Sequence, residues 1–371
     1  MGQLESTQGV KRKREEDESN NEQEKLKIIQ KIKTEFSQNK PMFIEKSLIL
    51  DCKEEQDILY VLLGEVHPKV EKLEEQANQA AGLINAISQS IKDTNKNVSL
   101  YLLTERSTCG SEYSLYWNKI HEDLSSNLYS EIISCDTRNE FLVCKAVRML
   151  DELKNFNDKN NPSLYIDKFF DLIEKHKEIM SVTKDILDNP ENIFSYPPLK
   201  DKNFDEQTKT KVINMINDTL NDIINKEKGQ TYREFLNDRI NAVEELDISS
   251  FLSDFVFDIV KNKDETFVKE KLVEILIGYR QKLGSDIFSF FMENVFYMKT
   301  FDIIRRYVTK LYGVIMDAEV MYQIQTIKNS EKDKKLKVIM IYAGSEHINV
   351  YENNLFSELI CNKEITFDST S

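Results

Sequence analysis

Short, mainly apolar segments alternate with stretches of helical spacing in the first part of the chain. The unbroken apolar run at residues 58–63 and the mainly apolar segments at residues 98–103 and 131–135 have the length of buried β-strands. Between them, residues 69–92 and about 112–129 carry apolar side chains at the intervals of an amphipathic helix. Strands that alternate with helices indicate parallel strands joined by right-handed crossovers.

The pattern changes in the middle of the chain. Almost every apolar position from about residue 139 to residue 322 lies at helical spacing, apart from a proline-containing loop at residues 189–198. A fourth buried strand follows at residues 336–342. The sequence therefore predicts an α/β fold, with a small, mainly parallel sheet that is flanked by helices and interrupted by a large all-helical insertion.

The predicted domain organisation follows from these changes of pattern. Residues 1–24 are polar and charged without periodicity, so we expect a disordered charged tail. An amphipathic helix is predicted from about Glu22 to Gln38. The α/β domain is expected to combine residues 25–140 with residues 311–371, and the helical insertion is expected to occupy residues 141–310.

Composition and charge narrow the classes of function. With 10 Gly and 6 Pro in 371 residues, the chain is poor in turn residues, which argues against an all-β fold. Its formal net charge of −14 argues against general nucleic-acid binding, since phosphate contacts require clustered Lys and Arg. No apolar segment has the features of a signal peptide or of a membrane span of roughly 20 residues. We therefore expect a cytoplasmic protein.

The five cysteines favour the same compartment. Their number is odd, their spacing is irregular, and no pair has the Cys-x-x-Cys spacing of a zinc or redox site. The sequence therefore predicts no disulfide framework and a reducing environment. A basic run at Lys11–Arg14 is an alternative signal for the nucleus, although a solvated charge run is the favoured interpretation.

Polar side chains follow each of the four predicted strands, at the point where the strand ends. In open parallel sheets, ligands bind beyond the carboxyl ends of the strands, where loops meet helix N-termini. We therefore expect these side chains to converge on one site. They are Glu65 and His67 after the first strand, Glu105 and Arg106 after the second, Asp136 and Arg138 after the third, and His347 after the fourth.

Two of these segments share a Gly-x-x-His pattern, Gly64–His67 and Gly344–His347. With 10 Gly and 4 His, a shuffled chain of this length would contain about 0.1 such patterns. Both copies follow buried strands directly, where glycine permits a sharp turn or a close approach of the backbone. A structural cap is the favoured interpretation of either histidine alone, whereas a functional role is favoured for the pair.

The paired motifs resemble the signature of the TraB/TIKI family, which is related to the erythromycin-esterase-like and ChaN-like proteins. The resemblance lies in Gly64–His67, in Gly344–His347 and in Glu105, which matches the acidic position after the second strand. Asp136 and Arg138 look like the later Asp/Arg element of the family.

The resemblance covers about residues 55–140 and 310–358, and it implies a hydrolase-like site. Family members include a metal-dependent protease, esterases thought to use histidine as general base, and a haem-binding lipoprotein. A histidine base or a metal-bound water would thus attack an ester or amide bond in a small molecule or peptide. Because this chain shows no signal peptide or membrane anchor, an extracellular protease role is not expected.

The four candidate catalytic residues are His67, His347, Glu105 and Glu65. A neutral imidazole suits a general base or a metal ligand, and the two His with the Glu65 carboxylate suit a divalent transition metal. The sequence allows two further roles for Glu65: a general acid or base, or a favourable negative charge at a helix N-terminus. Glu105 either orients a histidine or holds a metal, or else it pairs with a neighbouring arginine.

Arg106, Arg138 and Asp136 are the candidates for substrate binding. An arginine in the crevice can clamp a carboxylate or phosphate group, whereas an Asp136–Arg138 ion pair would be structural. Asp317 lies late in the helix before the last strand, and the sequence gives it even odds of reaching the site. Two other functions stay open: a non-catalytic protein that binds a partner through the helical insertion, and haem binding between the two histidines.

Overall fold

The computed structural model describes most of the sheet-forming part of the chain and a smaller share of its middle. The chain divides into two compact units, residues 1–136 with 316–371 and residues 137–315. The sequence predicts the corresponding boundaries after residue 140 and before residue 311. The described residues are 2–39, 43–66, 70–105, 112–136, 181–182, 185–186, 188–224, 309–330 and 336–368.

A mixed sheet forms the centre of the first unit. Its six strands are β1 (Ile44–Cys52), β2 (Ile58–Glu65), β3 (Ser99–Thr104), β4 (Glu131–Ser134), β5 (Lys337–Gly344) and β6 (Cys361–Asp368). Their order across the sheet is β4-β3-β5-β2-β1-β6. β2, β5, β3 and β4 are parallel, whereas β1 is antiparallel to both β2 and β6.

Helices precede, connect and follow these strands. They are α1 (Gly2–Asn39), α2 (Leu73–Thr94), α3 (Glu112–Asp123), α4 (Glu206–Ile224), α5 (Thr309–Asn329) and α6 (Ser345–Val350), with a π-helical turn at Tyr351–Leu355. The predicted α/β fold with a mainly parallel sheet flanked by helices is confirmed. None of the helices in the described ranges is long and apolar enough to cross a membrane.

The sequence does not predict β1 and β6. In β1, Glu45 and Lys46 interrupt the apolar pattern, so the strand lacks the continuous run of its buried neighbours. β6 is largely polar, as an edge strand can be when one of its sides has no strand partner. Hydrophobic periodicity therefore identifies the strands at the centre of this sheet better than those at its antiparallel edge.

Helix α1 begins at Gly2, whereas the sequence predicts a disordered tail over residues 1–24 and a helix from about Glu22. The added length is rich in Lys, Arg, Glu and Gln, which have high helix propensity. Intrinsic propensity therefore accounts for this extension better than an apolar stripe does. Further along the helix, Ile28 and Ile32 are completely buried and join the core.

The core lies where α1, α2 and α3 cover the sheet. β2 and β5 are buried along their whole length, which explains their near-continuous apolar sequences. Ala80 and Ile84 lie on the buried face of α2. Lys337 is a buried cation at the start of β5, and its Nζ donates to the carbonyls of Ile327 at 2.8 Å and Ser330 at 3.1 Å. It thereby satisfies carbonyl groups at the end of α5.

The register of β2 with β5 brings the starts of the two Gly-x-x-His segments together, offset by one residue, because Gly64 pairs with Ala343 and Glu65 pairs with Gly344. Gly64 also lies against α6. A Cβ atom at this position would lie 3.1 Å from the Cα of Ser345 and 3.2 Å from the Cγ1 of Ile348. Close approach of the helix is therefore the reason why glycine fits at residue 64.

Most of the predicted insertion, residues 141–310, lies outside the described residues. Its described part contains α4 and a 3-10 helix at Pro190–Ser195. α4 is helical, as the sequence predicts, whereas the 3-10 helix lies within residues 189–198, which the sequence predicts to be a loop. The hypothesis that the insertion binds a partner protein stays a prediction.

Cys52 and Cys361 form a disulfide between β1 and β6. The two residues are direct partners in the antiparallel pairing of these strands. This bond corrects the prediction that the cysteines form no disulfide. Because the cysteines are 309 residues apart and lie in the two unpredicted strands, their spacing carries no sign of the pairing. The cysteine argument for a reducing compartment therefore no longer applies.

We expect Gly64→Ala to destabilise the protein by about 1–3 kcal/mol, because the added methyl group meets the backbone of Ser345 in a closely packed interior. Gly82→Ala is the matched control. Nothing lies within 4 Å of its Cβ position on α2, so this change should stabilise the helix by about 0.5–1 kcal/mol. Urea unfolding followed by circular dichroism measures both effects. Equal stability of G64A and the wild type would contradict the close approach of α6.

Candidate active site

Acidic side chains gather at the carboxyl ends of the parallel strands. Glu65 ends β2, Glu105 follows β3 and Asp136 follows β4 closely. Each of the three is less than a tenth exposed. His347 lies in α6, directly after β5. Burial of a carboxylate is costly unless the group is hydrogen-bonded or protonated, so the partners of these residues decide what the site can do.

Two tyrosine hydroxyls hold the carboxyl group of Glu65. Tyr116 of α3 and Tyr342 of β5 both donate to its Oε2 atom, and their hydroxyl oxygens are 2.6 Å apart. The Oε1 atom is buried and has no hydrogen-bond partner within the described ranges. Burial raises the pKa of Glu65 to about 8; the tyrosine hydrogen bonds oppose this rise, and the Glu105 carboxylate adds to it. Glu65 is therefore largely protonated at neutral pH.

Sequence reasoning misses both tyrosines. Trp117 packs against them, with ring centroids 5.4 Å from Tyr116 and 5.3 Å from Tyr342. Burial raises the pKa of both tyrosine hydroxyls, so they remain hydrogen-bond donors. The available signal is Tyr342 itself: a tyrosine inside a buried apolar strand usually needs a polar partner for its hydroxyl group.

Glu65 cannot bind a metal through Oε2 while the two tyrosines keep their positions. Their hydroxyl donors already occupy the lone pairs of that atom. The Oε1 atom has no hydrogen-bond partner within the described ranges. The role of Glu65 as a metal ligand therefore stays a prediction, beside an acid/base or a positioning role.

Glu105 connects the end of β3 to the start of α6. Its Oε2 atom accepts the backbone N–H of Gly344 at 2.9 Å. Its own backbone N–H donates to the carbonyl of Tyr342 at 3.0 Å. Of the roles that the sequence allows for Glu105, these contacts best fit orientation, since they fix the backbone three residues before His347.

His347 and Asp317 form a hydrogen-bonded pair. The Nδ1 of His347 lies 2.7 Å from the Oδ1 of Asp317, which belongs to α5. The Asp317 side chain is 4% exposed, whereas the His347 side chain is 18% exposed. Because a carboxylate only accepts, the pair is satisfied when Nδ1 carries the proton and Nε2 carries the lone pair of the neutral ring. Asp317, which the sequence leaves undecided, thus lies beside the predicted histidine.

Tyr351 completes the surroundings of this pair. Its ring stacks on the His347 imidazole, with centroids 6.4 Å apart and planes inclined by 28°. Burial raises the pKa of the Tyr351 hydroxyl, and the charges of Asp317, Cys135 and Glu105 raise it further. The histidine therefore has an aromatic face on one side and a buried carboxylate at Nδ1.

His67, Arg106 and Arg138 lie outside the described residues, so their roles in catalysis, substrate binding and metal binding remain predictions. The expectation that the side chains of His67 and His347 converge on one site also stays a prediction. Asp136 is buried after β4, and its role in substrate binding is likewise a prediction. Within the part of the chain that the structure describes, no group of three or more His, Cys, Asp and Glu side chains is arranged to hold a metal ion.

A comparison of the chain with protein-family models, with curated proteins and with solved structures finds no match. The likeness to the TraB/TIKI family therefore rests on the Gly-x-x-His motifs and on Glu105, and it stays a prediction. Function is accordingly inferred from the positions, partners and protonation of the site residues.

We expect the free energy of unfolding to decrease as pH rises from about 5 to 9. The folded carboxyl of Glu65 keeps its proton up to about pH 8, whereas a glutamate in the unfolded chain releases it near 4.3. The folded state therefore gains stability from this proton below about pH 4 and loses it as pH rises through 8.

The neutral variant Glu65→Gln should show a smaller decrease, because it removes this titration. Glu74→Gln, at an exposed position of α2, is the matched control and should follow the wild type. Urea unfolding at a series of pH values measures all three proteins. Parallel pH profiles of E65Q and the wild type would contradict the raised pKa.

Proposed function

We propose that this protein is a hydrolase of ester or amide bonds, in which His347 is the general base and Asp317 orients it. The observation that carries this proposal is the 2.7 Å hydrogen bond between the Nδ1 of His347 and the Oδ1 of Asp317. A partly exposed imidazole that is held by a buried carboxylate is the arrangement with which many hydrolases remove a proton from water or from a nucleophile.

The orientation of the ring determines the chemistry. A proton on Nδ1, directed at Asp317, leaves the lone pair on Nε2. Nε2 then accepts a proton from the attacking water, and the Asp317 carboxylate stabilises the imidazolium that forms. Because Asp317 is almost completely buried, water screens this stabilisation little.

Glu65 is the candidate acid in this proposal. Its pKa of about 8 keeps the carboxyl protonated near neutral pH. A protonated carboxyl can return a proton to the leaving group once the base has taken one from water. The hydrogen bonds from Tyr116 and Tyr342 hold the carboxyl group at the end of β2, and burial outweighs their lowering effect on its pKa.

The likeness to the TraB/TIKI proteins extends the proposal to residues outside the described ranges. His67 would be the second imidazole of the site, and Arg106 or Arg138 would orient a small-molecule or peptide substrate. The pairing of Glu65 with Gly344 supports this extension, because it starts both Gly-x-x-His segments from neighbouring positions. We assign no step to a metal.

We expect His347→Gln and Asp317→Asn to lower kcat/KM by about 10²- to 10⁴-fold, because each removes general-base catalysis. Suitable probes are p-nitrophenyl esters and peptide p-nitroanilides. The matched controls are His121→Gln, at a histidine that contacts Thr104, and Asp51→Asn, at a carboxylate paired with Lys25. Both controls should keep near wild-type rates. Unchanged hydrolysis by H347Q would contradict the proposal.

The tautomer of His347 can be measured without a substrate. In nitrogen NMR at a pH where the ring is neutral, we expect the proton on Nδ1, because Asp317 accepts it. Asp317→Asn should reduce this preference, since the neutral amide is a weaker acceptor than the carboxylate. A wild-type ring protonated at Nε2 would show that Asp317 does not orient the base.

A further inference from the structure

The disulfide lies in a part of the fold that the proposed chemistry does not use. Cys52 is completely buried, whereas Cys361 is partly exposed. Cys361 begins β6, which is at the edge of the sheet and pairs with β1 among the described strands. An edge strand is held from one side, so it opens more readily than a central strand such as β5.

Ion pairs connect β6 and β1 to residues 345–355, the segment that contains α6 and the π-helical turn. Glu352, in the turn, forms ion pairs with Lys363 of β6 and Lys46 of β1. Lys46 also donates to Asn349 of α6, with 2.6 Å between Nζ and Oδ1. β6 therefore contributes directly to the charges that hold this segment.

The same segment carries the proposed base. His347 lies two residues before Asn349 and five before Glu352. At its start, the Ser345 hydroxyl donates to Glu45 of β1 at 2.8 Å. Strands β1 and β6 thus hold both ends of the segment that positions His347 against Asp317.

We propose that the Cys52–Cys361 disulfide is a redox switch that controls residues 345–355. The oxidised bond keeps β6 paired with β1 and Lys363 beside Glu352. Reduction lets β6 separate from β1, removes the Lys363 contact and loosens the segment. The effect on catalysis rests on the proposed function, whereas the effect on the segment does not.

The reductant is a dithiol, and the exposure of the two cysteines determines which of them it attacks first. A thiolate of the dithiol attacks the Sγ of Cys361, the more exposed of the two residues, and Cys52 leaves as a thiolate that then takes a proton. The second thiol attacks the mixed disulfide and releases Cys361. Two electrons and two protons pass to the cysteines, and the dithiol becomes a cyclic disulfide.

Hydrogen–deuterium exchange of the full chain, with and without dithiothreitol, tests the switch. We expect reduction to accelerate exchange of residues 361–368 and 345–355 roughly tenfold or more, and to leave the buried helix α2 protected. The double variant C52S/C361S should exchange at the rates of the reduced protein, and dithiothreitol should not change these rates. The matched control C144S, which leaves Cys52 and Cys361 in place, should respond as the wild type does.

Reduction of the wild type gives a result even if the double variant does not fold. Thiol counting by mass spectrometry accompanies each sample. Three results would overturn the proposal: five thiols in the unreduced protein, unchanged exchange of residues 345–355 after complete reduction, or loss of protection throughout α2. Because exchange is measured without substrate, absence of hydrolysis would refute the proposed function and leave this test intact.

Discussion

The insertion of β5 between β2 and β3 fixes the position of the polar groups at the carboxyl edge of the sheet. Parallel pairing with β2 sets Glu65 opposite Gly344, and pairing with β3 brings the backbone of Glu105 to Tyr342. Helix α6 therefore begins close to β2. A residue with a Cβ atom in place of Gly64 would displace Ser345 or Ile348 of this helix. Because the interior is closely packed, a shift of either strand would move the polar groups at this edge.

Three of the buried carboxyl groups at the site, those of Glu65, Glu105 and Asp317, meet the cost of burial in different ways. Glu65 is neutralised by a proton and receives two tyrosine hydroxyls. Glu105 accepts a backbone N–H, and Asp317 accepts the Nδ1–H of His347. The site therefore contains both a carboxyl group with a raised pKa, Glu65, and a carboxyl group hydrogen-bonded to an imidazole, Asp317.

Hydrophobic patterning predicts the central strands because β2 and β5 are buried on both faces and are therefore continuously apolar. It fails for β1 and β6, whose polar residues obscure the period, and consequently for the disulfide that joins them. At the site, the Gly-x-x-His motifs indicate Gly64 and His347 from local sequence alone. Tyr116 and Asp317 could not be assigned in this way, because they reach the site from helices distant in sequence and their roles depend on tertiary contacts.

The strand order also determines when the sheet can close during synthesis. β2 and β3 do not pair with each other; each pairs with β5, which the ribosome produces only after the whole middle of the chain. A nascent chain that ends within that middle part therefore presents two apolar strands whose inner edges have no partner. Such edges are templates for aggregation, so the growing chain is exposed to mispairing until β5 emerges.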